Sequence, residues 1–224
     1  MTFSIVGRCV ETGQLGIAIS SSGIAVGARC PWLCPGVGAV ATQNITLPAL
    51  GPQILELMGS GLSPAQALDK SLTSNGYGQF RQVTAIDYLG QTAHFSGSET
   101  LGTHHAVTGE QCVGAGNMLA DKAVIETLVR TFESSGGELA ERLLAAMQAA
   151  MAEGGEAGPV HSAAMVVVGE LTWPIVDLRV DWADEDPIGQ LAQLWAAYRP
   201  QMQDYIIRAL DPTKAPSYGV PGDE

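Results

Sequence analysis

The opening residues constrain this chain more than any others. In Met1-Thr2-Phe3-Ser4-Ile5-Val6 a strand pattern begins at the second residue, although chain ends fray unless something ties them down. Phe3, Ile5, Cys9 and Val10 are apolar, while Thr2, Ser4 and Arg8 lie on the alternate face, the period-two signature of a strand over residues 2–10. Met1 precedes a small residue, the setting in which an initiator methionine is removed, and removal would leave Thr2 with an α-amine beside its own hydroxyl. That amine has an ordinary pKa of about 7.7–8.0, so part of it is a free base near neutral pH. A threonine hydroxyl needs a base to become a nucleophile, and an N-terminal threonine carries one on itself. Thr2 is equally an ordinary β-former at the head of a strand.

With 224 residues, 46% of them hydrophobic, the chain can bury a sizeable core. Its 11 Lys and Arg against 23 Asp and Glu give a net charge of −12. That balance, with no basic cluster, argues against nucleic acid and anionic membrane surfaces, both of which are held through clustered Lys and Arg. No run reaches the roughly 18–20 apolar residues of a membrane span, and no basic-then-apolar leader opens the chain. A soluble cytoplasmic protein is expected. Cys30 and Cys34 have no second pair or nearby histidine to complete a zinc site, and Pro31, Trp32 and Pro35 around them read as a rigid loop. Cys9 and Cys112 read as small buried hydrophobes. Gly114 and Gly116 lack the third glycine of a dinucleotide site. Neither a metal nor an organic cofactor is expected.

Further along, residues 15–22 read as a strand paired with the first, 23–29 as a short third strand and 37–44 as a fourth. Residues 48–58 are helix-like. Ser63-Pro64-Ala65-Gln66 carries the start of a second helix, with serine as cap, proline at the first position and glutamine three residues after the cap. Residues 82–89 and 91–98 form a hairpin, and 105–113 another strand. Residues 121–132 and 138–151 are helices, the second with Leu139, Leu143, Met147 and Met151 along one face. Residues 160–168 are a buried strand and 175–180 an edge strand. Asp186-Pro187 begins a last helix, kinked or interrupted at Pro200. Paired helices alternating with antiparallel strands predict an α+β fold in layers, two sheets between two helix layers, over residues 1–210. Residues 211–224 read as an irregular Pro/Gly-rich tail.

The series Met1-Thr2-Phe3-Ser4-Ile5-Val6, Gly38-Ala39-Val40-Ala41-Thr42-Gln43, Arg81-Gln82-Val83, Phe95-Ser96-Gly97, Gly116-Asn117-Met118-Leu119 and Ser162-Ala163-Ala164 resembles, in order and over nearly the whole chain, the bacterial and archaeal DUF1028 family, which is grouped with the N-terminal-nucleophile hydrolases. The resemblance implies a four-layer αββα sandwich with Thr2 as nucleophile. It places Gln43 and Asn44 near an oxyanion hole, where one donor is worth roughly 3–4 kcal/mol; both residues also suit a polar strand end. Asn117 would complete that hole or hold the α-amine, or it is a turn residue. Ser20 to Ser22 would orient the amine, with Ser20 as the candidate, or these serines satisfy one another's backbone.

Arg81 would bind a carboxylate or pair with a surface acid. His94, His161 and Ser162 are weaker candidates for substrate contact, and Glu156 lies in a glycine-rich loop able to close over a site. Relatives carry Gly-Gly-Asp, then Arg-Gly and Gln-Ser-Ala-Ala, where this chain has Gly154-Gly155-Glu156-Ala157-Gly158-Pro159-Val160-His161-Ser162. Loss of that arginine implies a different substrate, smaller or less anionic.

The expectation is an amidohydrolase acting on a small amide or peptide-like bond, forming a homodimer or higher homo-oligomer. Two alternatives stand beside it: a hydrolase or isomerase using a His/Glu/Ser cleft with Met1 retained, and a non-enzymatic ligand-binding member of the fold.

Overall fold

In the computed structural model, which describes residues 1–222, β1 spans Thr2–Arg8 and β2 spans Leu15–Ser21. β3 (Pro31–Cys34) and β4 (Gly38–Asn44) follow, then helices α1 (Leu50–Gly59) and α2 (Pro64–Ser74). Next come β5 (Arg81–Asp87), β6 (Thr92–Ser96), β7 (His105–Gly109) and β8 (Cys112–Asn117). Helices α3 (Ala123–Ser134) and α4 (Leu139–Ala152) precede β9 (Ser162–Val168), β10 (Val176–Val180) and α5 (Pro187–Leu210).

The strands form two antiparallel sheets, one of order β10-β9-β2-β1-β8-β7 and one of order β3-β4-β5-β6. Helices α3, α4 and α5 cover the outer face of the first sheet, burying Phe3, Ile5, Leu128, Phe132, Leu143 and Met147. Helices α1 and α2 cover the second, over Val40, Ile54, Leu68 and Val83. Between the sheets lie Val6, Leu15, Ile17, Ala39, Ala41, Ile86, Val113 and Val168. This is the expected α+β fold, a four-layer αββα sandwich. Side chains alternate along a strand. If Phe3 and Ile5 meet the helices and Val6 meets the second sheet, Thr2 and Ser4 also face inward between the sheets. Both are buried.

Several elements differ from the sequence reading. Residues 23–29 contain no strand; Val26–Ala28 is a 3₁₀ turn entered through Ala25 at φ 53°. The strand lies instead in the supposed Cys/Pro loop, as β3. It is an edge strand, where the missing N–H of Pro31 costs no ladder bond. The stretch 105–113 is two strands, because Glu110 and Gln111 (φ 58°) turn the chain back into β8. Gly114 and Gly116 lie inside β8: a Cβ on Gly114 would be 3.0 Å from Val129, and one on Gly116 would be 2.6 Å from Leu119. These glycines let α3 and the turn before it approach the sheet. β1 ends at Arg8, and Val10 is exposed.

The Ser63–Gln66 capping box forms as read. Helix α5 runs through Pro200 without a break. The tail begins with a 3₁₀ turn at Pro212–Lys214 and folds back so that Arg208 lies over the ring of Tyr218; residues 223 and 224 lie outside the described part. Among the described residues, no helix is long and apolar enough to cross a membrane.

Gly51 shows how tightly the outer layer is fitted. A Cβ there would lie inside van der Waals contact of the Trp32 ring. Gly→Ala within an open helix gains up to about 1 kcal/mol. Gly51→Ala is expected to do the opposite and destabilise by about 1–3 kcal/mol, the usual cost of overpacking. Urea titration of the two proteins measures the sign.

Candidate active site

The hairpin register sets the site. With Arg8 opposite Leu15, Thr2 falls opposite Ser21 on β2. On its other side Thr2 pairs with Asn117 of β8, and Ser21 in turn pairs with Ser162 of β9. Asn117, Thr2, Ser21 and Ser162 therefore stand in one row across the end of the sheet, on the face turned to the second sheet. All four are buried, with Thr2 the most accessible at 6%.

Behind the row lies a network of amides. Ser4 Oγ donates to Gln43 Oε1 at 2.7 Å. Gln43 Nε2 donates to Gln82 Oε1 at 2.8 Å and to the Ala115 carbonyl at 3.2 Å. Gln82 Nε2 donates to Ser96 Oγ at 3.1 Å and to the Gly116 carbonyl at 3.0 Å. Asn117 Nδ2 donates to Gln82 Oε1 at 3.1 Å, which fixes its amide orientation, because the reverse would set two acceptors against each other. Asn117 Oδ1 is left buried without a partner. Both amide hydrogens of Gln43 are spent within the network. Its side chain locks the two sheets together at the site and has no N–H left for a substrate.

At the row itself, Thr2 Oγ1 lies 3.2 Å from Ser21 Oγ and donates to the Met1 carbonyl. Ser21 Oγ donates to the same carbonyl at 2.5 Å. Two hydroxyls thus converge on one carbonyl oxygen. Glu156 comes in on the loop after α4, bridged to Leu119 and 4% exposed. Its Oε2 accepts from the Ser22 N–H at 3.2 Å, and its Oε1 has no partner. Burial raises its pKa from 4.5 to about 7, opposed by the positive charge of the Met1 ammonium and by the Ser22 N–H.

The remaining residues singled out in the sequence fall in several places. Ser20 shares the face of Phe3, toward the helices, and its Oγ donates to the Ser162 carbonyl at 3.0 Å. The serine beside Thr2 is Ser21. Ser162 Oγ donates to the Gly23 carbonyl at 2.6 Å and accepts from Val26 N–H at 3.2 Å, so it holds the 3₁₀ turn. His161 donates through Nδ1 to the Ala183 carbonyl at 2.8 Å and stacks on Trp182 with ring centroids 4.4 Å apart. Asn44, at φ 70°, ties the end of β4 to the Phe80 carbonyl at 2.6 Å and to Leu101 N–H at 3.3 Å.

Arg81, opposite Asn44 in the ladder, donates to the Ile45 carbonyl. His94 lies on β6 in a surface groove beside Leu68 and Leu72 of α2, apart from the row. Its pKa is lowered by burial and by His105. Among the described residues no cluster of three or more His, Cys, Asp or Glu is placed to hold a metal.

Sequence reasoning missed Ser4 and Gln82, and it did not single Ser21 out of the run Ser20–Ser22. Counting the hairpin register outward from its turn would have selected Ser21 over Ser20. Gln82 carried a weaker signal, a glutamine at an inward strand position opposite Gln43.

The sequence matches, over residues 2–191, the family described as "Family of unknown function (DUF1028)". The crystal structure of a DUF1028 protein from Silicibacter pomeroyi superposes with a TM-score of 0.86 at 32% identity, covering 91% of this chain and 89% of that one. Anbu (ancestral beta-subunit) from Yersinia bercovieri aligns with a TM-score of 0.44 at 10% identity, over 97% of this chain and 100% of its own. Anbu from Hyphomicrobium sp. strain MC1 gives 0.42 at 12% identity, over 97% and 100%. Likenesses that distant transfer nothing to this chain. A search of the curated proteins found no match.

Two stability measurements test this geometry. Gln82→Met keeps the volume but takes from Gln43 Nε2 one of its two acceptors and from Asn117 Nδ2 its acceptor, and is expected to cost about 3 kcal/mol in a urea titration. Glu156 is favoured in its protonated form by the fold. Its contribution is therefore fully present below about pH 4.5 and is lost as pH rises through about 7. Glu156→Gln should remove a pH-dependent loss on the order of 3 kcal/mol between those limits, read as a flatter profile of unfolding free energy against pH.

Proposed function

The chain belongs to the DUF1028 family, and from that premise and the surroundings of Thr2 we propose that it is an amidohydrolase whose nucleophile is an N-terminal threonine. The observation that carries this reading is the position of the Thr2 hydroxyl. It is held in a buried polar row, 3.2 Å from Ser21 Oγ, beside an Asn117 oxygen that lacks a partner. Removal of Met1 supplies the base that the hydroxyl otherwise lacks.

In this mechanism the Thr2 α-amine takes the hydroxyl proton as Oγ1 attacks the amide carbon. The carbonyl oxygen becomes an oxyanion. Ser21 Oγ, which donates to the Met1 carbonyl when Met1 is present, is free to donate to that oxyanion. Asn117 Oδ1 accepts from the α-amine and orients its lone pair. Collapse breaks the C–N bond, and the leaving amine takes the proton from the α-ammonium. An ester to Oγ1 remains. Water, deprotonated by the same amine, hydrolyses it and restores Thr2.

Intact mass of active protein is expected to correspond to a chain beginning at Thr2. Turnover of a small amide should rise with pH through about 7.7–8.0 as the amine becomes free. Thr2→Ala should lower kcat by about a thousandfold or more while leaving the fold intact. Activity that survives this substitution, or that resides in a chain retaining Met1, overturns the reading.

A further inference from the structure

Met1 does more than cap the nucleophile. It is an aminoacyl group joined through its carbonyl to the residue whose hydroxyl would carry the acyl group in turnover. Its surroundings therefore outline the acyl half of a substrate. Its carbonyl oxygen accepts from Ser21 Oγ at 2.5 Å and from Thr2 Oγ1. Its side chain rests over Gly158, where a Cβ would lie 2.9 Å from Met1 Cε and 3.5 Å from Sδ. Its ammonium acts on Glu156 through its charge, from beyond ion-pair distance; Glu156 is a carboxyl 4% exposed with Oε2 on the Ser22 N–H and Oε1 unpartnered. A buried carboxyl oxygen with no donor is costly unless a donor arrives from outside. Ser22, which follows Ser21, and Gly158, against the Met1 side chain, set Glu156 next to the residue before Thr2, and a ligand's amine at that position is the donor available to Oε1.

Resting on the amidohydrolase reading, we propose that the substrate is an α-aminoacyl amide with a free ammonium. Glu156 Oε1 binds that ammonium, Ser21 the carbonyl oxygen, and the space above Gly158 the α-substituent. The reaction consumes one water. The C–N bond breaks and a C–O bond forms on Oγ1; the second half exchanges Oγ1 for the water oxygen. The products are a free α-amino acid and the released amine.

The test compares methionine p-nitroanilide with its des-amino analogue, 4-(methylthio)butanoyl p-nitroanilide. The wild-type protein is expected to favour the free amine by about tenfold or more in kcat/KM, the value of one charge-assisted hydrogen bond. Glu156→Gln should bring that ratio toward one. Gly158→Ala should shift preference from methionyl to glycyl p-nitroanilide. A wild-type preference for the des-amino compound, or a Glu156→Gln ratio equal to wild type, overturns the proposal.

Calorimetry of methioninamide binding to the processed Thr2→Ala protein tests the ammonium site without turnover. Binding that depends on Glu156 supports the site even if no amide is hydrolysed, in which case the amidohydrolase reading alone has failed. Equal binding of methioninamide and 4-(methylthio)butanamide overturns the site itself.

Discussion

A polar strand face buried between two sheets has to find all of its hydrogen bonds inside the protein, and this fold is built around that requirement. Thr2 and Ser4 lie on the inward face of β1, at 6% and 0% exposure. Ser4 is satisfied by Gln43 from the opposite sheet, and Gln43 by Gln82 and a β8 carbonyl. The sheets are thus joined at one end by directional bonds and elsewhere by apolar contact. Directional bonds fix relative position more sharply than apolar contact does, because they lose strength steeply with angle. The site takes its geometry from that end of the sandwich. The one amide oxygen left unsatisfied there, Asn117 Oδ1, lies on the same face as Thr2.

The layered fold was legible because period and capping signals agreed. β1 alternates from Thr2 to Ile5, Ser63 and Gln66 form the capping box their spacing announced, and β10 has the alternation of an edge strand. Local reading failed where a tertiary fact decided. Proline argued for a loop at 31–35, but only sheet order reveals that β3 is an edge, where proline is tolerated. Gly114 and Gly116 stood out only as an incomplete dinucleotide motif, whereas in β8 they make room for Leu119 and Val129. A run of three serines gave no reason to choose among them, and a single-residue change of register turns a side chain to the other face of the sheet. Ser20 and Ser21 differ in that way.

The candidate site was legible in part for the same reason. The residue types were visible, and their contacts were not. Gln43 was noticed as a polar strand end with amide hydrogens to offer a substrate. In the folded protein those hydrogens are consumed by Gln82 and Ala115. Glu156 was noticed as a loop acid. Its burial turns it into a carboxyl that changes charge near neutrality, an effect that no local composition reveals. His161 and Ser162, plausible as chemistry on paper, are engaged in holding the loops at residues 23–26 and 182–183.

The central claim is that the Thr2 hydroxyl is the reacting atom. The most direct measurement is to treat the protein with a β-lactone, which acylates an activated hydroxyl, and to locate the adduct by tandem mass spectrometry. The account predicts one ester on Oγ1 of Thr2, in a peptide whose first residue is Thr2. An adduct on Ser21, Ser162 or a cysteine, with Thr2 unmodified, would contradict it.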